Sequence, residues 1–459
     1  MAARPANLRD AAAAIERRTL SPVELTRACL DRIAAGNEAL RAFITVLDDE
    51  AMDEAARAEQ EIKDGHYRGA LHGIPVSVKD LVDVAGTPTT SGSNVPPRHA
   101  TVDAPVIANL RRAGAVIIGK TNLHEFAFGT TSDETAFGAV RNPHDRSRSA
   151  GGSSAGAAVA LVEGMCYGSV GTDTGGSIRI PAAACGVTGL KPTYAEVSSD
   201  AVVPLSMSLD HIGPLALDVH DAALLFQAMR DGTAPAARDV APESRPLRLG
   251  VPGGYFLEKL DAGTREAFTR ARAVIASAGH TITDVEIAHA ARIADVYLHI
   301  VLPEATWYHA PLLERYADKY SPGVRLRLEM GRYVLAEDYL RALHARTVLR
   351  QAVDAAMHGL DALLLPALAI GAPTLGASTV RVDSGADEPV RGIMLRLTQP
   401  FNISGHPAIA LPCGAAADGL PRSVQLVGQH GRTESLLAAA ASIERQIIGG
   451  AGSVGGGAG

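Results

Sequence analysis

Ser177 stands in the run Gly171-Thr-Asp-Thr-Gly-Gly-Ser-Ile-Arg-Ile-Pro181. Two glycines leave bare backbone N–H groups beside a serine hydroxyl, pairing a nucleophile with donors for the charge its attack creates. A second glycine–serine cluster, Gly151-Gly-Ser-Ser154, lies upstream, and further upstream is the lysine of Gly73-Ile-Pro-Val-Ser-Val-Lys-Asp80. A serine hydroxyl is a poor nucleophile unless a base takes its proton. Lysine is such a base only when neutral, which burial or a nearby positive field can secure. A relay of Lys79, Ser153 and Ser177 is therefore expected, with the N–H groups of Thr174, Gly175, Gly176 and Ser177 as the oxyanion pocket. That set suffices for acyl transfer without histidine, metal or cofactor. The expected chemistry is hydrolysis of amide-like bonds.

Each residue also has a plainer reading. The Ser177 turn taken alone fits a phosphate cradle or a simple tight turn, and Lys79 taken alone fits a solvated lysine. His124-Glu125 suggests zinc, but the helical metalloprotease pattern needs a histidine where Phe128 stands. His72, His211 and His406 lie beside glycine or proline and are expected to make structural hydrogen bonds. Cys166 and Cys185 are expected to pack in the core.

The elements that must position these residues alternate between strand and helix. Residues 6–63 read as helical, with Ser21-Pro22 as an N-cap pair and a strand interrupting at 42–47. Strands are expected at 74–79, presenting Lys79 near a strand end, and at 115–119, with a helix over 106–112 between them. Residues 121–152 read as loops around a site. A helix over 155–162 starts just after Ser153 and Ser154, placing their hydroxyls near its N-terminus. A strand over 167–171 leads into the Ser177 turn, and helix resumes towards 184. Beyond a linker candidate at 231–246 come a strand at 247–252, helices over 262–278 and most of 304–358, strands at 363–366, 408–412 and 423–427, and a closing helix at 434–446. The alternation is that of an α/β sheet covered on both faces.

Composition narrows the partners. The chain has 459 residues, 47% of them hydrophobic, 20% charged and 4% aromatic, with a net charge of −7. No basic run concentrates positive charge, so nucleic acid is not expected as a partner. The four cysteines form no CxxC pair, which fits buried thiols in a reducing compartment. No signal-peptide core and no long uncharged apolar stretch is present, so the cytoplasm is expected and a membrane anchor is not. The Gly-rich tail, 450–459, is expected to be disordered.

The block GGSSAGAAVALVEGMCYGSVGTDTGGSIRIPAAACGVTGLKPT, Gly151 to Thr193, resembles the amidase signature family. LHGIPVSVKD, KTNLHEFAFGTTSDETAFGAVRNP and SLDHIGP flank it, and FNISGHPAIALP and GLPRSVQLVG extend the likeness over nearly the whole chain. The family spacing between its two serines is kept, at 177 − 153 = 24 residues. The resemblance implies Ser177 as nucleophile, Ser153 as the serine after a cis peptide bond, and Lys79 as general base. It implies Ser154, Asp173 and Arg179 as supporting residues, and Ala127, Phe128, Gly129 and Thr130 as substrate-contacting. Its fold is a single α/β/α domain with a large mixed sheet over 1–449, with a catalytic core of about 70–215, which makes 231–246 a surface loop. One departure is the second Gly-Gly of the usual GGSSGG, which here reads Ala155-Gly156. The implied activity is a stand-alone amidohydrolase acting on a small carboxamide, anilide or carbamate, with a homodimer possible. The alternatives are a glutamine-hydrolysing subunit of a transfer-RNA-dependent amidotransferase and a non-catalytic scaffold. The aromatics Trp307, Tyr308, Tyr316, Tyr320 and Tyr333 are expected to belong to structural helices.

Overall fold

The computed structural model describes residues 5–230, 240–383 and 385–453. Its centre is an 11-stranded mixed sheet. From one edge to the other the strands are Phe43–Val46, Val116–Thr121, Pro75–Lys79, Gly168–Asp173, His211–Ala216, Thr188–Lys191, Ala408–Ala415, Pro421–Val427, Ala362–Pro366, Arg248–Pro252 and Thr281–Val285. Pro75–Lys79 runs parallel to both of its neighbours, while the strands around Thr188–Lys191 are antiparallel. The central strands are buried along their length, which is why they read as unbroken small and apolar runs rather than alternating ones.

Helices cover the sheet. Ser21 caps the helix Pro22–Leu40 in a capping box with Glu24, the signal its sequence carries. The expected helical stretch 304–358 is divided: Ile293–Tyr316, Pro322–Met330 and Ala336–Ala356 are separate helices, broken near Pro322 and Gly331. Trp307 is 66% exposed and Tyr333 is 84% exposed. The closing helix runs Thr433–Ser453. The tail expected to be disordered from 450 is therefore helical as far as 453, because a short run of Ala, Gly and Ser can extend a helix that is already nucleated; residues 454–459 lie outside the described residues. Of the loop expected at 231–246, residues 231–239 also lie outside them.

Two elements position the chemistry. Val78 sits opposite Val170 in the parallel pairing, which sets Lys79, at the end of its strand, beside the end of Gly168–Asp173. That neighbouring strand stops at Asp173, and the helix Arg179–Cys185 begins six residues later. Ser177 lies in the turn between them.

Candidate active site

Lys79 is fully buried, and its Nζ lies 2.7 Å from Ser153 Oγ and 2.7 Å from Thr172 Oγ1. Burial lowers its pKa to about 7, against the opposing pull of the Asp173 and Asp210 carboxylates. At neutral pH a large fraction of Lys79 is thus unprotonated. Ser153 follows a cis peptide bond with Gly152 and precedes the helix Ala155–Val162. Its carbonyl oxygen accepts from the backbone N–H of His124 and from Ser132 Oγ.

The Ser177 turn is built so that its carbonyls face away and its N–H groups stay free. The Gly175 carbonyl accepts a 2.6 Å hydrogen bond from Thr398 Oγ1, and the Gly176 carbonyl accepts from the N–H of Ile180. Among the described residues the N–H groups of Gly175, Gly176 and Ser177 have no acceptor. Gly176 has φ +140°, and a Cβ there would lie 2.2 Å from Thr398 Oγ1, so only glycine fits. A Cβ on Gly175 would lie 2.6 Å from the Tyr297 hydroxyl. Ser177 is 4% exposed, and its Oγ has no hydrogen-bond partner among the described residues. The link from Lys79 to Ser153 is formed, whereas no hydrogen bond joins Ser153 Oγ to Ser177 Oγ.

Asp173 and Arg179 hold the turn from beneath. Both are fully buried, and the guanidinium Nε and one terminal nitrogen lie 3.0 and 2.9 Å from the two carboxylate oxygens. The remaining Arg179 donors reach the Thr398 carbonyl, Gln425 Oε1 and Asn402 Oδ1. One Asp173 oxygen also accepts from the N–H groups of Ile178 and Arg179, closing the turn. Burial opposes ionisation of Asp173, but Arg179, Lys191 and Asn402 together hold its carboxyl well below the usual carboxylate range. Ser154 is buried; its Oγ donates to the Thr172 carbonyl and its N–H to the Ser177 carbonyl, tying the two serine clusters together.

A cavity of about 330 Å³ opens beside the turn, with Leu81, Ala127, Thr172, Thr174, Met207 and Asp210 in its wall. Of the four residues expected to touch substrate, only Ala127 is part of that wall. Phe128 is buried, with the Arg327 and Arg391 guanidinium carbons 5.4 Å and 5.6 Å from its ring centre. Gly129 lies against the His124 ring, and Gly152 packs on the backbone that follows Thr130. His124 itself contacts Glu134 and the N–H of Ser132. Among the described residues no cluster of His, Cys, Asp and Glu has the arrangement of a metal site. A larger groove of about 560 Å³, lined in part by His289, Val296, Leu340 and His344, contains no nucleophile paired with a base.

Sequence reasoning misses Thr172 and Asp210. Thr172 carries a signal, standing two residues before Thr174 on the strand that enters the turn. Asp210 lies within SLDHIGP, yet nothing local marks its reach. It accepts from Thr174 Oγ1 and from the N–H groups of Leu205 and Ser206, and burial raises its pKa to about 6. The plainer readings hold elsewhere. His211 Nδ1 bonds the Leu209 carbonyl, His406 Nε2 bonds Asp354, and the N–H of Arg68 donates to His72. Cys166 and Cys185 are buried, and burial pushes the Cys185 thiol far up.

The amidase family model matches residues 24–437. An amidase of Pseudomonas putida is 37% identical over 450 residues, covering 95% of each chain. A glutamyl-tRNA(Gln) amidotransferase subunit of Anaeromyxobacter dehalogenans (strain 2CP-C) is 36% identical over 482 residues, covering 96% of each. A crystal structure of an amidase superposes with a TM-score of 0.90 at 37% identity, covering 96% of this chain and 99% of that one.

Proposed function

This chain belongs to the amidase signature family and is an amidohydrolase acting on C–N bonds, and we propose that it works alone on a small carboxamide, anilide or related carbamate. The observation that carries this reading is Lys79, a buried lysine with a pKa near 7 in hydrogen-bond contact with Ser153. Neutral Lys79 takes the Ser153 proton as Ser153 takes that of Ser177. Ser177 Oγ then attacks the scissile carbonyl carbon. The oxyanion settles on the free N–H groups of the turn from Thr174 to Ser177. The proton returns through Ser153 to the leaving amine as the C–N bond breaks, leaving an acyl or carbamoyl group on Ser177. Water attacks that ester by the same relay.

The test is aniline release from an acyl anilide and from its carbamate counterpart, with Ser177→Ala as control. Cleavage of either by the wild type, lost in Ser177→Ala, supports the reading and ranks the two bonds. A second reading is favoured by the 36% identical amidotransferase relative: a glutaminase that releases ammonia only with a partner. Glutaminase activity that appears only when partner proteins are added, with neither anilide cleaved, would replace the first reading by this one.

A further inference from the structure

Two guanidinium groups lie against the buried Phe128 ring, and they differ in one respect. Arg327 has a counter-ion: its terminal nitrogen lies 2.9 Å from Glu134 Oε2. Arg391 has none. Among the described residues it makes no ion pair and no hydrogen bond, and its Nε is sealed from solvent without an acceptor. Contact with an aromatic face holds a guanidinium in place but gives it no counter-charge. Arg391 is half-buried: solvent reaches its terminal nitrogens, while its Nε, like that of Arg327, is shut off from it. The terminal nitrogens of Arg391 are thus unpaired donors, among the described residues, open to an anion that enters from solvent.

Its position says which anion. Arg391 lies on the short helix Val390–Leu395, four residues before Leu395, so the two share a face. Leu395 packs on the turn: a Cβ on Gly175 would lie 2.8 Å from Leu395 Cδ2. Tyr297 packs on the same glycine, and its phenol lies within electrostatic reach of Arg391, Asp210 and Asp173 together. Arg391 thus stands about one helical turn, roughly 6 Å along the helix, from the residue that touches the oxyanion turn. On its other side Phe128 adjoins Ala127, which is part of the cavity wall.

We propose that Arg391 is the anion-binding residue of this site, and that the substrate is an amide bearing a carboxylate a few bonds from the scissile carbonyl. The proposal rests on the amidohydrolase reading above. A planar fork of N–H donors matches a two-oxygen anion with paired hydrogen bonds. The carboxylate neutralises the guanidinium, and the pairing fixes the distance from Arg391 to the carbonyl that Ser177 attacks. Neutral amides of the same length leave Arg391 unpaired and bind less well.

The experiment compares ω-amido acids, succinamate to adipamate, with the neutral alkanamides of equal chain length. In the wild type at least one acid exceeds its neutral partner in kcat/KM by roughly 10- to 100-fold, the range expected for charge-assisted hydrogen bonds to a guanidinium. Arg391→Gln removes most of that ratio, and Arg391→Lys retains part of it by keeping the charge without the fork. A wild-type ratio near one for every length overturns the proposal, as does an unchanged ratio in Arg391→Gln. A separate binding measurement keeps it independent of turnover. Succinate, glutarate and adipate, the corresponding dicarboxylates, are titrated calorimetrically into the wild type and Arg391→Gln. Binding by the wild type that Arg391→Gln loses supports the anion site even where no amide is cleaved, which would count against the hydrolase reading alone. No binding of any of the three to the wild type overturns the anion site, whatever the rates.

Discussion

Thr398 Oγ1 donates a 2.6 Å hydrogen bond to the Gly175 carbonyl, joining residues 223 positions apart in the chain. Thr398 touches no reacting atom, yet it fixes the direction of the peptide that leads into Gly176. With that carbonyl held back, the N–H of Gly176 faces the side where an oxyanion forms.

Thr398→Val keeps the shape and removes the donor. It lowers kcat roughly 10- to 100-fold, somewhat less than the loss of an oxyanion donor itself, with little change in KM. Thr398→Ser restores most of the rate. Steady-state kinetics and melting curves on the three proteins check this. A lower melting temperature with kcat intact would make Thr398 a packing residue and nothing more.

Lys79 predicts two pH dependences of different origin. Its folded pKa is about 7, against an ordinary lysine value of 10.5. The base works when neutral, so kcat/KM rises as pH rises through about 7 and then levels. Lys79→Arg, which stays charged at all usable pH values, is inactive throughout. Stability follows from linkage. Between about 7 and 10.5 the unfolded chain carries a proton that the native lysine lacks, so native stability rises with pH there, by up to about 1.4 kcal/mol per unit. Lys79→Met lacks this slope. Urea unfolding at pH 7 and pH 9 is the measurement, and parallel stability changes in both proteins would contradict a lowered lysine pKa.

Asp173 and Arg179 make the opposite case, a buried pair whose charges satisfy each other. Asp173→Asn leaves a buried guanidinium without its counter-charge and loosens the cap on the N–H groups of Ile178 and Arg179, at a cost of about 3–5 kcal/mol. The folded carboxyl titrates well below 3.8, so the stability it contributes is fully present above that pH and falls away in more acidic solution. Chemical denaturation from pH 7 downward therefore shows a steep acid decline in the wild type and a shallower one from a lower starting point in the variant. Equal stabilities at pH 7 would remove Asp173 from this role.

How much of this is legible in the sequence depends on whether the determinant is local. The Ser177 turn announces itself because glycines at 175 and 176 have to stand beside the serine they serve. The strand ending at Lys79 is readable from its apolar run and entry glycine. The strands Thr188–Lys191, His211–Ala216 and Thr281–Val285 are not. The first two are buried and contain glycine or proline, which look like loop residues when the neighbours that bury them are unknown. The third is an edge strand, largely exposed, with weak alternation. Thr398, Asn402 and Gln425 converge on the Asp173–Arg179 pair from more than 200 residues away. No spacing rule reaches that far. Phe128, Gly129 and Thr130 are placed at the substrate by resemblance, while the wall of the cavity contains only Ala127 of that segment.

The departure at Ala155 gives the most direct comparison of adjacent positions. Both 155 and 156 are buried in the first turn of the helix that follows Ser153 and Ser154. Position 155 already holds a methyl group without conflict. At position 156 a Cβ would lie 2.2 Å from the Ala42 carbonyl oxygen and 2.6 Å from that of Asn122. Those atoms are backbone, so relief requires the strand edge and the helix to part. Ala155→Gly should therefore cost only about 0.5–1 kcal/mol, the usual penalty of glycine in a helix. Gly156→Ala should cost more than that and reduce kcat as well, because the displaced helix carries Ser153 away from Lys79. Denaturation midpoints and kcat for the two variants decide the matter, and a Gly156→Ala protein as stable and active as Ala155→Gly would show that the close approach at 156 does not position Ser153.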